Sequence, residues 1–142
     1  MKQFIGCKIV SAESAKGRNG RDGYKVVYSD GYESWSPKEI FERSYLPITV
    51  NPSLRTDAPS ISQDMVDDFI AKHETITMGE KTTVVRAVLK NGFEIVESSA
   101  CVSAENYDEK VGEEICMNKI KDKVWMLLGF LLQTGVSGVK GE

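Results

Sequence analysis

An Asn91-Gly92 pair sits between two runs of β-patterned residues, Thr82-Thr83-Val84-Val85-Arg86-Ala87-Val88-Leu89 and Phe93-Glu94-Ile95-Val96. No other stretch constrains the fold as much. Asn-Gly supplies the two positive-φ positions that a tight hairpin turn needs, so the flanking runs pair antiparallel. The chain then passes through Ser98-Ser99-Ala100-Cys101-Val102-Ser103-Ala104-Glu105-Asn106-Tyr107-Asp108 into a long apolar-striped segment. A hairpin feeding a helix is a compact scaffold with polar and aromatic residues at its junctions.

The residues before the hairpin read as further short elements. Phe4 to Ala12 is patterned as a strand, and a polar loop follows, Lys16-Gly17-Arg18-Asn19-Gly20-Arg21-Asp22-Gly23. Tyr24 to Tyr28 is a second strand, and Asp30-Gly31 turns the chain into Tyr32-Glu33-Ser34-Trp35. Ser36-Pro37-Lys38-Glu39 predicts a helix start, with Ser36 as N-cap, Pro37 at the first position and Glu39 closing a capping box. That helix carries Ile40 and Phe41 and ends near Tyr45. Leu46 to Pro59 is proline-rich and reads as a linker. Ser60 or Ser62 caps a second helix bearing Met65, Val66, Phe69 and Ile70, with His73 at its end and a short strand from Glu74 to Met78. The last helix is expected to start near Ser103 or Asn106 and run to about Gln133. Its stripe is Ile115, Ile120, Val124, Leu127, Leu128 and Leu131.

The predicted class is α+β: a small antiparallel sheet with hairpins, two shorter helices and one long C-terminal helix. Residues 1–45 form a β-rich module with a short helix, 46–60 a linker, and 61–142 a core of helix, hairpin and long helix. A chain of 142 residues has room for this. Its net charge of −3 gives no bulk attraction to duplex nucleic acid. Cys7, Cys101 and Cys116 are widely spaced, with no CxxC pair, and fit small buried hydrophobes in a reducing cytosol. Met1 to Gly6 turns polar by Lys8 and does not read as a signal peptide, and Val124 to Leu132 is too short to span a bilayer. The expected location is the cytoplasm.

No catalytic constellation stands out. His73 lacks a visible acid–base partner, the 17–23 glycine loop lacks P-loop order, and Asp64, Asp67 and Asp68 fit a solvated helix face better than a metal site. No cofactor or metal is expected. A binding surface is easier to compose. Trp35, Tyr32, Phe93 and Tyr107 lie beside turns or element ends, where an aromatic can stack on a nucleobase. Lys81, Arg86, Lys119 and Lys123 can offer charge to phosphate. Asn91 is explained by its turn and Asn106 by capping, and each of the others is also satisfied by a core or solvated role. Composition and spacing reach a cytosolic α+β domain with a polar-aromatic cleft.

Three blocks carry a resemblance. Gly31-Tyr32-Glu33-Ser34-Trp35-Ser36-Pro37-Lys38-Glu39-Ile40-Phe41 resembles the GYxSWSPKEVF block of a family of small tailed-phage proteins. Leu89-Lys90-Asn91-Gly92-Phe93 with Ser99 to Asp108 resembles that family's LxNGFxVxxxSACVxxxNFD core, and Trp125 to Leu132 its WxLxGFLL ending. In size and hairpin-then-helix layout such proteins look like the first class of Thoeris anti-defence (Tad) sponges. The resemblance implies a phage anti-defence protein in the host bacterial cytoplasm. It would bind and sequester cyclic ADP-ribose isomers made by TIR enzymes, and also cyclic oligonucleotides of CBASS immunity, without cleaving them. It also implies a homo-oligomer, from dimer to hexamer, with a pocket between subunits. For such a ligand Phe93 or Trp35 would stack on adenine, Arg86 with Lys81 or Lys119 would meet phosphate, and Asn91 or Asn106 would meet ribose, with Tyr107 and Lys123 among the further ligand-binding residues. A protein-interaction module that inhibits a host enzyme is the alternative reading.

Overall fold

A computed structural model describes residues 1–49 and 51–141. Val50, in the expected linker, and Glu142, at the tail, lie outside the described residues. The chain forms two compact units, Met1–Ile48 with Leu131–Glu142, and Thr49–Phe130. The end of the chain, from Leu131, joins the first unit. There the Cys7 thiol approaches the Leu131 carbonyl at 3.7 Å, and Gly135 packs beside Ile9.

In the first unit, β1 (Ser11–Ser14), β2 (Gly23–Val27) and β3 (Glu33–Pro37) make an antiparallel sheet in that order. The expected strand at Phe4 to Ala12 begins only at Ser11, and Phe4 and Ile5 stay about nine-tenths exposed. With no face to bury them, their β propensity has nothing to act on. The helix α1 (Lys38–Ser44) follows directly. The expected capping box does not form. Ser36 pairs with Tyr24 and Pro37 with Gly23 in the sheet, so the strand runs to the helix start. Pro37 becomes the N-cap and no side chain accepts there. Tyr24, Phe41 and Tyr45 stack in a row, with centroids 4.3 and 4.8 Å apart, and hold α1 on the sheet.

The second unit is built on β5 (Thr82–Leu89), the central strand between β4 (Ile70–Met78) and β6 (Glu94–Ala100). All pairing is antiparallel. The hairpin forms, but Gly92 alone takes a positive φ, +88°, while Asn91 does not; the strands are joined by residues 90–93 rather than by a two-residue turn, and Asn91 Oδ1 accepts from the Phe93 amide. The helix α2 (Gln63–Phe69) is capped by Ser62, whose hydroxyl accepts from the Met65 amide. It ends four residues before His73, which lies on β4. Phe69 is its last helical residue, and the nine-residue strand starts at Ile70.

Along β5 the alternation is sharp: Thr83, Val85, Ala87 and Leu89 are buried, and their neighbours are half-buried. Over that buried row lies α3 (Glu109–Ser137), which contributes Gly112, Cys116, Ile120, Val124 and Leu128 at intervals of four. A four-residue row is one of the natural packing ridges of a helix. The wider expected stripe is therefore narrowed, with Ile115 and Leu131 more than 40% exposed. A single three-stranded sheet has room for one ridge. Met65, Val66 and Phe69 of α2 are buried in the same unit. Before α3, Ala104–Asn106 form a short 3-10 turn. Asp108, rather than Ser103 or Asn106, caps the helix: its carboxylate accepts from the Lys110 and Val111 amides.

Candidate functional site

The chemistry-bearing side chains of the second unit gather along both margins of α3. On the β4 margin the strand's alternation sends His73, Thr75 and Thr77 to the helix side, opposite Ala87, Val85 and Thr83. Glu113 accepts a 2.5 Å hydrogen bond from the Thr75 hydroxyl and stands 3.6 Å from His73 Nε2. One turn earlier Glu109 accepts from the Thr77 hydroxyl. The Tyr107 hydroxyl lies 2.8 Å from both Thr77 and the fully buried Thr83. A continuous polar seam thus joins strand and helix. On the β6 margin Lys119 donates to the Ser98 carbonyl at 2.9 Å, and Lys123 pairs with Glu97.

The Thr75 hydroxyl, and after it the His73 charge, hold the Glu113 carboxyl below its ordinary value. A carboxyl lowered on folding stabilises the fold above its unfolded pKa, and that contribution is lost as pH falls through the folded value. We expect Thr75→Val to raise the Glu113 pKa in a side-chain NMR titration and to flatten the acid limb of the stability profile. An unchanged Glu113 titration would show that the hydroxyl is not its main partner. Burial pushes the Cys116 thiol up, as fits an inert core cysteine.

The residues singled out from the sequence fall into several places. Trp35 belongs to the first unit. Its indole N–H donates to the Ala15 carbonyl at 2.8 Å, and its ring covers Gly17 and Gly23. Arg86 lies on the sheet face away from α3, held by Glu94 and, at 3.0 Å, by Glu74. Both carboxylates raise its pKa further, Glu94 first. With its side chain 43% exposed, solvent screens both ion pairs. Lys81 donates to the Val102 carbonyl at 3.0 Å. Asn91 serves its turn, and Phe93 beside it is 56% exposed. Asn106 ends the 3-10 turn, its amide bonded to Ser103. Tyr107, Lys119 and Lys123 line the helix margins described above.

The structure therefore brings Asn91 and Phe93 together at one hairpin, and Lys119 and Lys123 together along β6. It does not gather aromatic, cation and amide groups into one cleft within the second unit. Glu109, Glu113, Thr75 and Thr77 were not singled out from the sequence. The alternation His73-Thr75-Thr77 is the signal for them, once β4 is read as a strand from Ile70. Among the described residues no group of three or more His, Cys, Asp or Glu side chains is placed to hold a metal. No described helix is long and apolar enough to cross a membrane.

A family model described as "Phage protein (N4 Gp49/phage Sf6 gene 66) family" matches residues 61–136, the stretch from α2 through most of α3. No curated protein and no solved structure matches the chain. The matched residues make up more than half of the sequence and hold α2, the second sheet and most of α3. The chain belongs to the phage protein (N4 Gp49/phage Sf6 gene 66) family.

Proposed function

We propose that this phage-family protein binds and sequesters a cyclic nucleotide immune signal, of cyclic ADP-ribose type and extending to cyclic oligonucleotides, without cleaving it. The observation that carries the reading is the family match over residues 61–136. It spans the Leu89–Phe93 and Ser99–Asp108 blocks of the phage-family resemblance, and the likeness of such proteins to the Tad sponges rests on size and hairpin-then-helix layout.

The geometry supports a divided site. Asn91 and the exposed Phe93 offer an amide and a stacking face at one end of the sheet, and Lys119 and Lys123 offer charge along its β6 margin. A cyclic ADP-ribose carries one adenine, two riboses and a pyrophosphate, and the reading assigns these contacts to a pocket between copies of the chain. Arg86 is neutralised in place and would have to release a glutamate before meeting phosphate.

Incubating the protein with a cyclic ADP-ribose isomer, heat-denaturing it and analysing the supernatant should return the ligand intact. A linear or hydrolysed product would overturn sequestration in favour of catalysis. An inhibitor that docks on a host enzyme is the second reading. It is favoured by the exposed apolar side chains of α3, Met126 at 66% and Phe130 at 74% exposure. Calorimetry against a panel of cyclic nucleotides separates the two: tight binding supports sequestration, and a flat response across the panel supports docking.

A further inference from the structure

The second sheet has two edge strands, and they are finished differently. On β6 the helix guards the edge: Lys119 occupies the Ser98 carbonyl, and Lys123 lies over Glu97. Lysine at a strand edge and engaged edge carbonyls are devices that prevent sheet-to-sheet pairing. Glu94 and Glu97 would also face like charges if β6 met a copy of itself.

On β4 the charged residues Lys72 and Glu74 are present, but among the described residues no side chain of the helix engages the strand's edge carbonyls. Its burial pattern is exposed at seven of nine positions. Among the described residues, no backbone group from Ile70 to Met78 bonds outside the ladder with β5. The strand contains no proline, and its single irregularity, between Ile70 and Lys72, lies at its very start. A long unguarded edge of this kind is a template for another strand.

We propose that β4 pairs antiparallel with β4 of a second copy, about a two-fold axis through His73, to join the two sheets into one. The charges select the register. With His73 opposite His73, Lys72 of each copy stands across from Glu74 of the other, which makes two opposite-charge cross-strand pairs. Centring on Glu74 would oppose the two carboxylates, and centring on Thr75 or Ile76 makes no ion pair. Lys72 has no carboxylate partner within 4.0 Å among the described residues, while Glu74 already accepts from Arg86 with one oxygen. The second copy's lysine would complete a charge row of Arg86, Glu74 and Lys72 across the joined strands. On the other face, the two copies of the His73–Glu113–Thr75 seam would stand side by side.

An edge-to-edge joint is small, in the class below about 1,200 Å² that gives concentration-dependent association. Sedimentation equilibrium of the full chain should show a monomer–dimer equilibrium. Lys72→Glu should raise its dissociation constant on the order of 10-fold, since it creates two like-charge contacts. The double variant Lys72→Glu/Glu74→Lys should recover most of that loss. Circular dichroism of each variant checks that the monomer is folded. As a second readout, His73→Cys in a background with Cys7 and Cys101 replaced by serine should oxidise to a 73–73 disulfide. Directly opposed residues lie about 5.5 Å apart, or about 4.5 Å in a non-hydrogen-bonded pair, both within disulfide range. A strictly monomeric chain overturns the proposal. So does a dimer indifferent to Lys72→Glu, or one that cross-links through α3 instead. The proposal stands apart from the cyclic nucleotide reading: sedimentation tests the joint, and calorimetry tests the ligand.

Discussion

Gly112→Leu should leave the second unit unable to fold cooperatively, and Gly112→Ala should cost about 3 kcal/mol despite the better helix propensity of alanine. At Gly112 the helix α3 lies close against Thr83 of β5. A Cβ there would fall 2.0 Å from Thr83 Oγ1 and 2.7 Å from Thr83 Cβ. The hydroxyl could rotate away, but the Cβ is fixed to a fully buried strand residue. Relief therefore requires the first turns of α3 to lift. That movement would break the seam in which Tyr107 meets Thr77 and Thr83, and would pull Glu109 and Glu113 from β4. Alanine gains about 1 kcal/mol over glycine in a helix interior, which offsets only part of the overpacking. Urea denaturation would measure the difference, and a Tm lower by on the order of 10 °C is expected for Gly112→Ala. Adding Thr83→Ala removes the hydroxyl and methyl and leaves the Cβ contact, so it should restore little. A full rescue would show that the side-chain tip, not the backbone separation, sets the clash.

This contact also marks how far the sequence could be read. The Asn91-Gly92 turn, the strands on either side and the long last helix follow from local chemistry, because turn residues and alternation act over a few positions. The burial row of α3 does not. Ile115 and Leu131 are as apolar as Ile120 and Leu128, and only the width of the sheet beneath decides which are covered. Gly112 and Cys116 fell outside the expected stripe because their value lies in being small opposite Thr83. His73 was misplaced for a related reason: Phe69 and Ile70 suit either a helix end or a strand start, and the β5 ladder settles it. At the site, Arg86 and Lys123 are readable as cations, but their carboxylate partners come from neighbouring strands in a register that no local pattern discloses. Asn91 and Tyr107 stand out in the sequence because each sits at a junction whose chemistry is local.

Trp35→Ala separates a structural tryptophan from a stacking one, and we expect the loss to be one of stability. The indole is 37% exposed and closes the base of the β1–β2 hairpin. Its N–H bonds to the Ala15 carbonyl, and the hairpin is further pinned by Gly17 to Arg21 and Ala15 to Gly23 backbone bonds. A Cβ on Gly23 would stand 2.4 Å from both the ring and the Ser36 carbonyl, so the ring packs close against bare backbone. Removing a fully buried tryptophan costs about 3–5 kcal/mol, and partial exposure brings the expectation to about 2–3 kcal/mol. Gly23→Ala should be the more severe change, because deleting the indole cannot relieve the clash with a backbone carbonyl in the β2–β3 ladder. The pair Gly23→Ala/Trp35→Ala should therefore stay near the Gly23→Ala value. If Trp35 instead stacked on a base, Trp35→Ala would leave denaturation unchanged and weaken ligand binding by roughly 5- to 150-fold, the equivalent of about 1–3 kcal/mol. Fluorescence resolves the location of the damage. Trp125 reports on the second unit, so a Gly23→Ala chain should lose the native Trp35 emission while the Trp125 signal persists. Loss of both signals together would mean that the two units unfold as one.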